Sequence, residues 1–178
     1  LEAGLRSFDR SMPEELNRLV TDVLADLLWT PSPDGDENLR KEGIPAARVE
    51  RVGNIMLDSY ELLRGQIESD GTVARLGLKP QGYAVLTLHR PSNVDDAAVL
   101  ATMLSGLGAV ATQLPLVFPC HPRTRKALEG VELPPGLELL PPLGYVDFLG
   151  LQARAALVLT DSGGVQEEGA GMLRLRLT

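Results

Sequence analysis

The chain has 178 residues, 44% of them hydrophobic and 4% aromatic, with a formal net charge of −7. That length suits one good core or two small ones. The acidic balance argues against nucleic acid or a membrane surface as the main partner, and the scarcity of aromatics argues against a stacking platform for single strands.

The single cysteine, Cys120, excludes an intrachain disulfide framework and fits a reducing cytoplasm. No run approaches a membrane span and no signal peptide is recognisable. The first residue is Leu1 rather than Met, a hint that an N-terminal portion is missing.

Residues 1–10 read as the end of a strand and a polar loop. Ser11 is expected to cap a helix, with Pro13 in its first turn and Glu14 at capping-box spacing. Leu16, Leu19, Val20, Val23, Leu24, Leu27 and Leu28 recur at helical spacing. Glu14 and Arg18 stand four residues apart and share a face. They read either as a cap and a surface ion pair or as part of a cleft wall. Residues 29–36 form a punctuated turn region, and a short helix over 37–42 stops at Gly43. A strand over 48–52 ends at Gly53-Asn54, and a helix covers 56–67. Residues 68–82 are rich in glycine and charge and read as a connection to a second unit.

The second unit alternates strand and helix. Tyr83 to Leu88 is an apolar run ended by His89-Arg90-Pro91, which places His89 at the carboxyl end of a strand. Ser92 or Asn93 is expected to cap the next helix, with Asp95 and Asp96 in its first turn and Ala97, Leu100, Ala101, Leu104, Leu107 and Ala111 as its stripe. A strand over 114–118 ends at Pro119-Cys120-His121-Pro122, and residues 123–129 are helical. A third strand over 137–140, a helix over 145–153 and a last strand at Leu157 to Leu159 follow. Steady alternation of this kind means a parallel α/β sheet with right-handed crossovers.

Such sheets bind ligands beyond the carboxyl ends of their strands. His89, His121, the loop before Phe148 and Ser162-Gly163-Gly164 all fall at such ends, both histidines of the protein among them. In Ala156 to Glu168 a buried strand stops, a small-residue turn opens, and Val165 to Glu168 start a helix. The unpaired N–H groups of a helix start, with glycines that allow close approach, suit an anion. Glu167 and Glu168 stand where a sugar hydroxyl can be held. An ordinary βα turn is the plain alternative. Cys120 beside His121 lacks the further donors a metal site needs and reads as a small buried hydrophobe.

Six motifs then carry a resemblance. Glu2-Ala3-Gly4-Leu5-Arg6, Pro13-Glu14-Glu15-Leu16-Asn17-Arg18, Gly53-Asn54 with Asp58, His89-Arg90-Pro91, His121-Pro122-Arg123-Thr124 and the run Thr160 to Glu168 occur in this order. Together the chain resembles the non-hydrolysing UDP-N-acetylglucosamine 2-epimerases of the bacterial type, as a fragment lacking the N-terminal part and the C-terminal end.

The resemblance implies a GT-B fold, two Rossmann-like parallel-sheet domains facing a cleft, both incomplete here. Residues 1–58 would be the later part of the N-terminal domain and the hinge, and 59–178 most of the C-terminal UDP-binding domain. The implied reaction interconverts UDP-GlcNAc and UDP-ManNAc by elimination and re-addition of UDP through a bound 2-acetamidoglucal, supplying ManNAc units for cell-surface polysaccharide. It implies no metal and no nicotinamide, a UDP-sugar as the partner, a cytoplasmic location, and a homodimer for the intact family member.

Carried over by motif, Glu2 and Glu14 match acidic residues of the cleft, and Arg18 a neighbour that organises them. His89 matches a histidine near the diphosphate. Ser162, Gly163 and Gly164 match the diphosphate turn, Glu168 the ribose carboxylate, and Phe148 a residue near the uracil. Arg90 and His121 fall at an inner-cleft or allosteric position.

The family's Gly-Thr-Arg-Pro-Glu loop and a strand-end Asp are absent, and Gly169 to Thr178 departs from the family pattern, as does Pro91-Ser92 after His89-Arg90. An inactive remnant that at most binds UDP, or another GT-B nucleotide-sugar enzyme, are the alternatives.

Overall fold

The computed structural model describes residues 1–162 and 165, and the chain divides into two compact units, Leu1–Ser59 and Tyr60–Thr178. In the first, helix α1 (Pro13–Leu24) leads to strand β1 (Leu28–Thr30), helix α2 (Pro33–Lys41), a 3₁₀ turn (Ala46–Arg48) and strand β2 (Val49–Arg51). The two strands pair in parallel, Leu28 opposite Val49 and Thr30 opposite Arg51. The core of this unit is small: Ala3, Leu28 and Leu39, with Ala25, Ile44 and Val49 against them.

Several expected boundaries in this unit shift, each for a local reason. Residues 1–4 form no strand, although Ala3 donates its N–H to the carbonyl of Trp29, beside β1. The capping box at Ser11 and Glu14 does not form. Met12 is the N-cap with no side-chain cap, because Ser11 donates instead to Asp9 (2.6 Å). The apolar spacing that runs on to Leu28 crosses a break: α1 ends at Leu24, and Leu28 to Thr30 are strand rather than turn. Arg48 closes that break by donating to the carbonyls of Asp22, Val23 and Ala25, the unpaired carbonyls of the helix end. Helix α2 starts four residues before the expected 37, since Ser32 caps it by accepting from Gly35 N (3.4 Å) and Pro33 suits its first position.

The boundary between units falls inside helix α3 (Ile55–Ser69). The connection expected over 68–82 contains one helical turn, α4 (Thr72–Arg75), set by Asp70, whose carboxylate accepts from the Thr72 N–H and hydroxyl, both at 2.9 Å. The second unit is a four-stranded parallel sheet, β3 (Ala84–Thr87), β4 (Leu116–Pro119), β5 (Leu137–Leu140) and β6 (Leu157–Thr160), in the order β5-β4-β3-β6. The chain steps outward from β3 to β4 to β5, then returns to pair β6 on the other side of β3.

With right-handed crossovers that reversal puts helices on both faces. Helix α6 (Ala97–Ala111) packs Leu100, Leu104 and Ala111 against Ala84, Leu86, Leu116 and Phe118. Helix α8 (Tyr145–Ala153) lies on the other face, where Leu151 meets Tyr83, Val85, Val117 and Val158. Successive residues of β3 thus serve opposite cores, as the strand period demands.

The helix after β3 is split. A turn, α5 (Pro91–Val94), precedes α6, and the cap is Asp96 rather than Ser92 or Asn93, accepting from Ala98 N at 2.8 Å and Val99 N at 3.2 Å. Helix α7 (Pro122–Ala127) begins with His121 as its N-cap. Cys120 is fully buried, as a small hydrophobe.

Candidate functional site

The reversal of strand order lies between β3 and β6, and their carboxyl ends form one polar cluster. Thr87 and Thr160 face each other across the ladder with their hydroxyls 2.6 Å apart. Beyond them Asp161 turns its carboxylate toward the loop after β3. It accepts from the His89 N–H (3.1 and 3.0 Å), the Arg90 N–H (2.9 Å) and the Asn93 side-chain amide (3.0 Å). The Nδ1 of His89 lies 2.7 Å from the Asp161 Oδ1; the imidazole is 55% exposed and the carboxylate 9%. Burial pushes the Asp161 carboxyl upward, but the donors from Arg90, Asn93 and His89 and the nearby imidazole outweigh it, and the net direction is downward.

Two more groups fix this end of the sheet. The Thr124 hydroxyl, buried on α7, donates to the Leu88 carbonyl (3.3 Å), one residue before His89. Ser162 donates its N–H to the Thr160 hydroxyl (2.9 Å), and its own hydroxyl accepts from Val165 N (3.3 Å), a residue in helical conformation. The strand end at Thr160 and the helical Val165 agree with the local pattern. Gly163, Gly164 and Glu168 lie outside the described residues.

The remaining second-unit candidates spread along neighbouring strand ends. His121 follows β4 and is exposed, its Nδ1 accepting from Arg123 N (3.4 Å). Arg90 is exposed. Phe148, on α8, is half-buried against the core that contains Tyr83 and Leu151.

In the first unit Glu2 is exposed and holds a left-handed backbone, φ 58°, unusual for a residue with a side chain. Strain of this kind persists where the surroundings over-determine it. Here Ala3 is tied to Trp29, and Gly4 N donates to the buried Asp22 (3.0 Å). Arg6, its side chain 1% exposed, pairs with Asp22 (2.8 Å) and Glu42 (2.6 Å), which hold its guanidinium pKa above the usual value. Glycine is required at 4, where a Cβ would stand 2.2 Å from the Gly35 carbonyl oxygen. Glu14 is exposed and Arg18 half-buried, and no ion pair joins them among the described residues. Its neighbour Glu15 is the buried one, accepting from Ser7 N (2.8 Å), the Ser7 hydroxyl (3.0 Å) and Phe8 N (3.2 Å).

Asp161 and Thr124 lie within motifs that carry the resemblance, but the sequence alone gives neither of them a role. A strand-end aspartate reads as a turn residue, and its partners lie about seventy positions earlier. The available signal was topological: ligands bind where strand order reverses, so polar residues at those two strand ends belong together.

A doubly wound parallel unit with its polar groups gathered at the reversal has the architecture of α/β proteins that bind nucleotides in this crevice. The family profile described as UDP-N-acetylglucosamine 2-epimerase matches residues 1–175, and the chain belongs to that family. It is 40% identical over 172 residues, 94% of this chain and 47% of the relative, to UDP-2,3-diacetamido-2,3-dideoxy-D-glucuronate 2-epimerase of Pseudomonas aeruginosa. It is 38% identical over 179 residues, covering 94% of this chain and 49% of the relative, to UDP-N-acetylglucosamine 2-epimerase of Methanococcus maripaludis. The crystal structure of the Methanocaldococcus jannaschii UDP-GlcNAc 2-epimerase in complex with UDP-GlcNAc and UDP superposes with TM-score 0.84 and 36% identity, over 97% of this chain and 50% of that one. The parallel α/β, GT-B fold class stands with these relatives. The chain spans about half the length of the curated relatives it matches. No described helix is long and apolar enough to cross a membrane.

Proposed function

We propose that this chain carries the UDP-binding part of an epimerase that inverts C2 of a 2-acetamido UDP-sugar, interconverting UDP-GlcNAc and UDP-ManNAc. The observation that carries the reading is the joining of His89, Asp161 and Ser162 at the β3/β6 strand ends, in a chain of this family. Residues 1–58 are then the later part of the N-terminal domain and the hinge, and 59–178 most of the UDP-binding domain.

The chemistry sets what each group must do. A base removes the proton on sugar C2, the C1–C2 double bond forms, and the C1–O bond breaks with its electron pair going to UDP. UDP then returns to C1 as a proton is delivered to the other face of C2. Carboxylates suit the proton transfers, and Glu2 and Glu14 take that role, with Arg18 organising them. Charge gathers on the departing diphosphate, so cations and N–H donors belong there. His89 and the turn of Ser162, Gly163 and Gly164 supply them, Glu168 holds the ribose, and Phe148 lies by the uracil. Arg90 and His121 line the same end.

A second substrate within this chemistry follows from the Pseudomonas aeruginosa relative, whose name carries a diacetamido uronate in place of GlcNAc. Incubation with UDP-GlcNAc in deuterated water tests the reading. Deuterium appearing at sugar C2 is the expected outcome. No incorporation from UDP-GlcNAc, with incorporation from the diacetamido uronate, moves the substrate; none from either leaves UDP binding alone.

A further inference from the structure

We propose that Asp161 is the positioning residue for His89: it fixes the imidazole as the Nδ1–H tautomer and leaves Nε2 as the nitrogen that works on the ligand. The two oxygens of this carboxylate have different tasks. Oδ2 accepts from the His89 N–H (3.0 Å), the Arg90 N–H (2.9 Å) and the Asn93 amide (3.0 Å), and so holds the loop. Oδ1 lies 2.7 Å from the His89 Nδ1 and holds the ring, sharing the His89 N–H at 3.1 Å. A carboxylate oxygen so placed accepts, so Nδ1 carries the hydrogen. The ring is 55% exposed while the carboxylate is 9% exposed, so the edge bearing Nε2 is the one turned away from the anchor. Among the described residues, the other charged or titratable groups toward this end include Arg90, next in the chain, His121 after β4, and Arg123, which is paired with Asp95 at 2.6 Å.

A ring held this way exchanges its proton at one atom. In the charged ring Nε2–H donates to a phosphate oxygen, while Asp161 balances the charge at Nδ1. In the neutral ring Nε2 accepts a proton, and Asp161 stays ionised throughout, the orienting role that carboxylates play for imidazoles in catalytic dyads and triads. The loop backbone is also held by Thr124 on the Leu88 carbonyl, so its course does not rest on Asp161 alone. The role given to Nε2 rests on the UDP-sugar reading above; the tautomer does not.

The substitution Asp161→Asn separates the two tasks. The three donors on Oδ2 recruit the amide oxygen, which leaves the amide nitrogen facing Nδ1. That nitrogen donates, so Nδ1 must accept and the hydrogen moves to Nε2. The test is ¹⁵N NMR of the ring nitrogens of the 178-residue chain at about pH 9, well above the ordinary imidazole range near 6.5. His121→Asn assigns the two histidines. The expected result is Nδ1–H for His89 in the wild-type chain and Nε2–H in D161N. Nε2–H in the wild-type chain, or Nδ1–H in both, overturns the proposal. Should D161N fail to fold, the wild-type spectrum decides, because a free imidazole favours Nε2–H and a held acceptor at Nδ1 reverses that.

Deuterium incorporation into the UDP-sugar gives the second readout, expected to slow about 10²- to 10⁴-fold in D161N. Unchanged incorporation in a folded D161N with the shifted tautomer counts against the functional role. A wild-type chain with the Nδ1–H tautomer and no incorporation overturns the epimerase reading, leaves UDP binding alone, and leaves the positioning intact.

Discussion

The two units hold the loops around their candidate site residues with the same device and fill their cores differently. Around Glu2 and Glu14, buried carboxylates grip backbone and side chain alike: Asp22 takes the Gly4 N–H and the Arg6 guanidinium, and Glu15 takes the N–H groups of Ser7 and Phe8 and the Ser7 hydroxyl. Around His89, Asp161 grips the backbone and the imidazole of a candidate site residue. The second unit closes apolar clusters on both faces of a four-stranded sheet, whereas the first buries three core residues and leaves Leu16, Val20, Val23, Leu24 and Leu27 of the α1 region exposed. The small first unit therefore leans on its polar clamp for order, and the second leans on its core and uses its clamp to aim a histidine.

The largest effect that can break this comparison is in the first unit. Asp22→Asn removes one of the two carboxylates on the buried Arg6 while Glu42 keeps both of its bonds, a cost of about 1.5–3 kcal/mol. The single tryptophan, Trp29, sits on β1 and reports this unit alone. Its fluorescence transition in urea is expected to move to much lower denaturant, while far-UV signal from the second unit holds. Equal loss in both would mean that the units do not differ in this way.

A smaller effect belongs to the second unit. Thr124→Val removes the one described donor on the Leu88 carbonyl, a cost of about 1–2 kcal/mol. Amide exchange is expected to quicken at His89 and Arg90 with little change in β4 or β5. Faster exchange across the whole sheet would assign Thr124 to the core rather than to the loop.

The smallest effect is shared. Glu15 is held below the usual carboxylate range, first by the Ser7 N–H, and Asp161 is held below it by donors that outweigh its burial. A depressed carboxyl contributes stability above its unfolded value and loses it as pH falls through the folded one. Both loops are therefore expected to stay ordered to below about pH 4, the ordinary carboxylate range. The amide resonances of Ser7 and Phe8 should move, and the exchange protection of the His89 and Arg90 amides should fall, only in acid beyond that point. Movement at Phe8, or loss of protection at Arg90 near neutral pH, would contradict it.

Much of the second unit was legible from sequence because its signals agree. The strand at Leu137–Leu140 sits between Gly136 and Pro141, and helix α8 runs over the expected Tyr145–Ala153. The first unit was less legible because its apolar spacing does not mark burial. The stripe through Leu16, Val20 and Val23 is exposed, while Glu15 and Asp22 on the same helix are buried. Strand β1, three residues long, is hidden because that stripe runs into Leu27 and Leu28 without a break in pattern. The strand-end positions of both histidines and of Ser162 were legible from the apolar runs that precede them. The role of Asp161 was not, since it depends on the pairing of β3 with β6, a contact between distant parts of the chain.

The central claim is that the β3/β6 strand ends take the diphosphate. Titrating the 178-residue chain with UDP, while following the ring resonances of its two histidines, tests it most directly. The account predicts a large, saturable shift of the His89 ring and a small one at His121, both abolished by Ser162→Trp. UDP binding that leaves the His89 ring unmoved, or that survives Ser162→Trp, would contradict it.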